Sequence, residues 1–311
     1  MSKLSRTCIW TAAARAFGAL EPDPRVQNPD WMAAKLLGPD EVRILAEVTD
    51  TARLWGQPYD VVASDAEAMA NARGLIPRTR FIDERMLAAL REGATQVVIL
   101  GAGFDTRAYR FKEALKNARV FEVDAPVTQA LKIRRLLEAI GEPPENLTYV
   151  PVDFLHDDLG AALGRAGYRT DQKTFFNWEG VTMYLRANAA RSTLQWVANN
   201  SPRGSAIVFD YTFDNVIQGI ANIDMEKVPE QYRPMMLRFL RLTAEEPWIF
   251  GLPVGRESEF LGELGFDMRK SMGLNSKEVV DQYLTRADGS IFGNTPASEF
   301  QMYAMLEAVV A

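Results

Sequence analysis

Histidine and cysteine are almost missing from this chain of 311 residues, which holds one of each, His156 and Cys8. One cysteine excludes an intramolecular disulfide framework and a cysteine-rich metal site. One histidine, with Asp157-Asp158 next to it and no second carboxylate pair at ligand spacing, gives no reason to expect a metal. A basic excess is missing too. Lys and Arg total 35 against 41 Asp and Glu, the net charge is −6 and the pI is near 5.1, so a nucleic-acid partner is not expected. The local cluster Lys132, Arg134 and Arg135 reads as the solvated face of a helix. No run approaches the ~18 apolar residues of a membrane span. No charged segment followed by an apolar core and a cleavage site opens the chain, so a cytoplasmic protein with no membrane partner is expected.

Composition is otherwise ordinary for a globular protein, 47% hydrophobic and 24% charged. Residues 1 to about 90 read as helical, with apolar residues at three- and four-residue spacing around Thr11–Phe17, Asp30–Leu37, Val42–Leu54 and Thr79–Arg91. Breaks are expected at Glu21-Pro22-Asp23-Pro24, Gly38-Pro39, Gly56-Gln57-Pro58 and Ile76-Pro77. Strands and helices then alternate. Strands are expected from Gln96, at Arg119–Asp124, Leu147–Val150, Thr174–Trp178, Ser205–Tyr211, Phe266–Met272 and Phe300–Leu306. Helices are expected near Asp105–Leu115, Pro126–Ile140, Arg186–Asn199 and Glu257–Leu264. That rhythm predicts an α/β fold with a doubly wound, mostly parallel sheet. Residues 214–250 interrupt it with Met225, Tyr232, Met235, Met236, Phe239, Leu240, Trp248 and Phe250, helical in spacing near Tyr232–Leu242.

The most informative stretch is Gln96 to Arg107, a β-branched apolar run ending in Gly101-Ala102-Gly103-Phe104-Asp105-Thr106-Arg107. Glycines at the carboxyl end of a buried strand let the backbone turn sharply and approach a ligand closely. A dinucleotide loop carries a third glycine, where this chain has Thr106. Asp105 beside it repels a pyrophosphate placed at a helix N-terminus. The loop therefore suits a nucleoside cofactor without phosphate, such as S-adenosylmethionine.

About 20 residues further on, Glu122 and Asp124 end the second strand, where a carboxylate accepts hydrogen bonds from ribose hydroxyls. Periodicity puts both on one face and does not choose between them. After the third strand, Asp153-Phe154 offers an acceptor and a planar apolar wall suited to adenine, or Asp153 caps the following turn. The fourth strand runs into Asn177-Trp178-Glu179-Gly180-Val181-Thr182-Met183-Tyr184-Leu185. A carboxylate among so many apolar groups needs a cation, either a bound α-ammonium or a structural arginine.

In order, Leu100-Gly101-Ala102-Gly103-Phe104-Asp105-Thr106-Arg107, Glu122-Val123-Asp124-Ala125-Pro126 with Lys132 downstream, Val152-Asp153 and Glu179-Gly180 with Met183-Tyr184-Leu185 resemble the leucine carboxyl methyltransferase-like family. These are class I S-adenosylmethionine-dependent O-methyltransferases, with bacterial members acting on polyketides and other small molecules. The likeness covers roughly residues 75–213. It implies a Rossmann-like, seven-stranded, single methyltransferase domain over 1–311. Residues 1–90 would form a helical cap, 91–213 the cofactor core, 214–250 a substrate-lid insert and 251–311 the end of the sheet. It further implies that Arg78 pairs with the cofactor carboxylate, with Arg80 as the position one misalignment away, and that Arg15 is a second basic contact. Gly101 and Gly103 would approach the methionine part, Asp124 the ribose, Asp153 and Phe154 the adenine, and Glu179 the α-ammonium. Val181, Thr182, Asn177 and Trp178 depart from the family pattern, so the acceptor side is expected to differ, and activity on a phosphatase tail is not carried over.

Methyl transfer is an in-line displacement that mainly requires alignment. A carboxylate acceptor is already ionised at neutral pH, whereas a hydroxyl benefits from a base. With His156 placed beside adenine, no base stands out, which tilts the expectation towards a carboxylate. The other acceptor is an acidic hydroxyl activated by Tyr184, Tyr211 or a carboxylate. Met183, Tyr184, Tyr211, Tyr232 and Trp248 are the expected acceptor contacts. The aromatic insert would roof them, or form core, or face a second copy in a homo-oligomer. Two rival readings are an NAD(P)-dependent oxidoreductase, disfavoured by the missing glycine and the lack of a Tyr-x-x-x-Lys pair, and a non-catalytic cofactor-binding scaffold.

Overall fold

Alternation along the strands decides which side chains meet the site. In the structure, a computed structural model, β1 (Gln96–Leu100) sends Val97 and Ile99 into the layer beneath the N-terminal helices and Val98 and Leu100 into the opposite layer. The structure describes residues 5–311 apart from 155, 228, 229, 231, 232, 234, 235, 238, 239, 241–243, 245 and 300. Seven strands form one sheet in the order β3-β2-β1-β4-β5-β7-β6. The others are β2 (Arg119–Asp124), β3 (Leu147–Pro151), β4 (Thr174–Trp178), β5 (Ala206–Thr212), β6 (Phe266–Gly273) and β7 (Tyr303–Val310). The first five pair in parallel, and β7 is antiparallel to both β5 and β6. Strand order reverses between β1 and β4, so a crevice opens at their carboxyl ends, the usual ligand position in such sheets.

Helices α1 (Arg6–Ala19), α2 (Pro39–Val48) and α4 (Ala66–Arg91) cover that crevice, and α3 (Tyr59–Ala63) packs beside α4. Ser5 caps α1 by accepting from Cys8 N, and Asp65 caps α4 by accepting from Ala68 N at 2.9 Å. The expected break at Ile76-Pro77 does not occur, and α4 runs through Pro77 for 26 residues. Proline forfeits one backbone hydrogen bond there, but Leu75, Ile76, Arg78 and Thr79 are buried. Ile76 and Ala72 pack where α1 presents Gly18 without a side chain. That burial outweighs the local propensity.

The expected helix after the glycine loop is split into α5 (Arg107–Arg110) and α6 (Lys112–Leu115). On the sheet, α7 (Pro126–Ala139) follows β2, α8 (Leu159–Arg165) follows β3, and α9 (Ala187–Asn199) joins β4 to β5. Then come α10 (Asp214–Ala221) and α11 (Glu257–Gly262). The last strand starts at Tyr303 and ends at Val310, later than the expected Phe300–Leu306. It lies between β5 and β6, so its whole apolar run is buried and Glu307 does not end it. Lys132 also departs from expectation. It is buried, with its ammonium 2.5 Å from Glu122 Oε2, because α7 turns this residue onto β2. The expected helix near Tyr232–Leu242 falls largely outside the described residues, as do Tyr232, Met235 and Phe239. No helix among the described residues is long and apolar enough to cross a membrane.

Candidate functional site

A cavity of about 1060 Å³ lies over the carboxyl ends of β1, β2 and β4 and under α1 and α4. Its size suits a nucleoside cofactor together with a small second ligand. Gly101 and Gly103 form its floor with φ of +68° and +43°, a region that favours glycine. A Cβ on Gly101 would stand 2.4 Å from Val181 Cγ2, so the two loops interlock. Asp124 Oδ2 accepts from Gly103 N, and Oδ1 accepts from Ala125 N at 2.6 Å. Burial raises the Asp124 carboxyl above its ordinary value against the pull of those two N–H groups.

Beside this floor, charges alternate along the cavity lining. Arg78 donates through Nε to Glu179 Oε1 at 2.8 Å and through Nη1 to Asp210 Oδ2 at 3.1 Å and the Tyr303 hydroxyl at 3.0 Å. Arg107 donates to Glu179 Oε2 and to Asp83 Oδ1, each at 2.7 Å, and to Asp105. Arg110 reaches Asp83 at 2.8 Å, and Arg15 reaches Asp30 and the Phe104 carbonyl at 2.7 Å. Burial alone would raise the Glu179 carboxyl. The Arg107 and Arg78 guanidinium groups overcome it and hold Glu179 far below the usual carboxylate range. Asp210 goes the other way. Burial pushes it up to about 6, with Arg78 opposing.

Of the residues expected from the sequence, the cavity is lined by Arg15, Arg78, Gly101, Gly103, Asp124, Phe154, Glu179, Met183, Tyr184 and Trp248. Asp124 lines it and Glu122 does not, although one strand face carries both. Glu122 is fully buried against Lys132, two residues before the strand opens into the crevice. Arg80 donates to the carbonyls of Pro24 and Gln27 and stands outside. Asp153 is not among the lining residues. It sits in the turn after β3, where its N–H donates to Asp157 Oδ2 at 2.8 Å, and His156 is exposed.

Tyr211 corrects the expectation. Strand alternation sends it to the opposite layer, where its hydroxyl is 3.0 Å from Ser271 Oγ and donates to Glu257 at 3.4 Å. Its neighbour Asp210 is the residue of β5 that reaches the site, accepting from Gly180 N at 2.6 Å. Residues without an assigned role in the sequence reading include Asp210, Tyr303, Asn177, Thr7 and Glu246. Asp210 carried a signal, since a carboxylate inside Ala206-Ile207-Val208-Phe209-Asp210-Tyr211 demands a buried partner. Asn177 is fully buried and lines the cavity, and its Oδ1 has no partner among the described residues. An orphan acceptor beside Glu179 suits a ligand carrying an N–H donor. Paired acceptors at Asp124 suit a diol, and the flat Phe154 ring suits a base.

A glycine loop at the reversal of strand order, a carboxylate ending β2 and an orphan acceptor beside a carboxylate define a nucleoside-cofactor site of the class I methyltransferase type. The family model for "Leucine carboxyl methyltransferase" matches residues 8–198. The chain belongs to that family and is an S-adenosylmethionine-dependent methyltransferase. A provisionally named S-adenosyl-L-methionine-dependent methyltransferase of Mycolicibacterium gilvum is 32% identical over 234 residues, 75% of this chain and 73% of that one. One of the same provisional name from Mycolicibacterium vanbaalenii is 31% identical over 282 residues, 91% of this chain and 88% of that one. YktD of Bacillus subtilis, named in the same way, is 31% identical over 217 residues, 67% of this chain and 70% of that one. Among solved structures, magnesium protoporphyrin IX methyltransferase of Synechocystis with bound SAH is a distant likeness. Its TM-score is 0.43 and its identity 11%, over 78% of this chain and 87% of that one.

Proposed function

We propose that this enzyme transfers the methyl group of S-adenosylmethionine to the acidic hydroxyl of a small aromatic molecule. Bound in the cavity, the cofactor supplies an electrophilic methyl on a sulfonium. Asp124 takes the ribose hydroxyls and Phe154 stacks on adenine. Arg78 faces the carboxylate, while Glu179 and Asn177 Oδ1 accept from the ammonium. Gly101 and Gly103 let the backbone approach the methionine chain.

The acceptor assignment rests on one observation. Among the described residues, the cavity-lining guanidinium groups of Arg15, Arg78, Arg107 and Arg110 are each engaged by carboxylates, and the lining also carries Trp10, Tyr184, Trp248, Tyr303, Glu67 and Glu246. Aromatic walls and carboxylates suit a neutral ring bearing a hydroxyl better than an anion. A carboxylate acceptor is the second reading, favoured by the family's name and by needing no base.

Methyl-labelled cofactor and a panel of phenols and carboxylic acids separate the two. Aryl methyl ethers keep their label in alkali, whereas methyl esters release it as methanol. Alkali-stable label on phenols is expected. Label found only on carboxylic acids, and released by alkali, would replace the first reading by the second.

A further inference from the structure

The hydroxyl reading leaves a proton to be placed, and one carboxylate on the acceptor side is positioned to take it. Glu246, near the end of the 214–250 insert, lines the cavity. Its Oε2 accepts from Ser5 Oγ at 3.3 Å, from Thr7 N at 3.2 Å and from Thr7 Oγ1. All three bonds go to one oxygen. Among the described residues no protein donor engages Oε1, which leaves that oxygen able to accept from a ligand.

The place is right for the chemistry. Residues 5–8 lie over the glycine loop, since a Cβ on Gly103 would come within 3.4 Å of Cys8 Cβ. Thr7 and Trp248 lie beside the Tyr184 hydroxyl, and Trp248 lies 5.9 Å from the Tyr303 ring. Glu246, Thr7, Tyr184 and Trp248 therefore share one part of the cavity lining, beside the loop that would carry the methionine chain.

Resting on the hydroxyl reading, we propose that Glu246 is the general base of the reaction. The acceptor hydroxyl donates to Glu246 Oε1. As its oxygen forms the new bond to the methyl carbon, the carbon–sulfur bond breaks, its electron pair stays on sulfur to leave a neutral thioether, and the proton moves to the Glu246 carboxylate. Ser5 and Thr7 hold the other oxygen, so the base is positioned from α1.

The variant Glu246→Gln tests this, because an amide oxygen still accepts from Thr7 and preserves the link to α1 but takes no proton. Calorimetric affinity for S-adenosylhomocysteine is expected to be unchanged, since Glu246 touches the acceptor and not the cofactor. With phenol as acceptor, kcat is expected to fall by about 10²- to 10⁴-fold. With 4-nitrophenol, already largely ionised at neutral to mildly alkaline pH, the fall is expected to be at least tenfold smaller. Glu246→Asp should recover part of the phenol rate. Equal losses on the two acceptors would assign Glu246 to holding α1 and overturn the proposal, as would no loss on either. A wild-type enzyme that methylates carboxylic acids alone would overturn the hydroxyl reading, and the base with it.

Discussion

Replacing Gly101 by alanine isolates what the interlocked loops contribute. At φ of +68°, an alanine pays about 1–2 kcal/mol for the left-handed backbone. Its Cβ would also stand 2.4 Å from Val181 Cγ2, closer than real side chains approach. Valine is stiff at χ1, so the methyl cannot swing aside freely, and overpacking of this kind costs about 1–3 kcal/mol. The sum is a loss of about 2–5 kcal/mol in unfolding free energy for Gly101→Ala. Trimming the neighbour as well, in Gly101→Ala with Val181→Ala, removes the steric part and leaves the backbone part. A double-mutant cycle in urea should thus show a coupling of about 1–3 kcal/mol in favour of the pair. S-adenosylhomocysteine affinity should follow the same order, weakest in the single Gly101 variant, because Val181 adjoins Glu179 and Gly180 on the cavity wall. A coupling of zero, or a Gly101→Ala protein as stable as the wild type, would refute the reasoning.

Two further outcomes follow from the charge and strand geometry. Burial pushes the Glu122 carboxyl up to about 7 despite Lys132, so the folded protein holds that proton more tightly than the unfolded chain does. Stability from this group is complete below the ordinary carboxylate range and declines as pH rises through about 7. Unfolding free energies measured between pH 4.5 and 7.5 should show this decline in the wild type and a flatter profile in Glu122→Gln, and identical slopes would count against it. Tyr211→Phe should leave methyl transfer within about twofold of wild type, since its hydroxyl lies on the far side of the sheet. A loss of tenfold or more would return Tyr211 to the site.

The strands and the motif order were legible because buried parallel strands and glycine turns write themselves locally. β2 and β4 match their expected bounds residue for residue. What was not legible depended on which face meets what. Period two puts Asp210 and Tyr211 on opposite faces but does not say which face opens on the cavity, and the sequence reading named only the tyrosine. Lys132 looked solvated because a helix pattern does not show that β2 carries a buried glutamate beneath it. Pro77 looked like a break because its cost is local and the compensating burial on α1 is not. Arg107 stood in the quoted motif with no role, and only the fold brings Asp83, Asp105 and Glu179 around it. Glu246 lies within a segment whose sequence suggested a roof, and nothing nearby in sequence pointed to Ser5 and Thr7.

The central claim is that the crevice over β1, β2 and β4 holds the nucleoside cofactor with Asp124 on its ribose. Isothermal titration with S-adenosylhomocysteine of the wild type, Asp124→Ala and Glu122→Gln tests it most directly. The wild type should bind, Asp124→Ala should lose about 1–3 kcal/mol of binding free energy, and Glu122→Gln should bind like the wild type. Unchanged affinity in Asp124→Ala, with binding abolished by the Glu122 substitution in a protein that still folds, would contradict it.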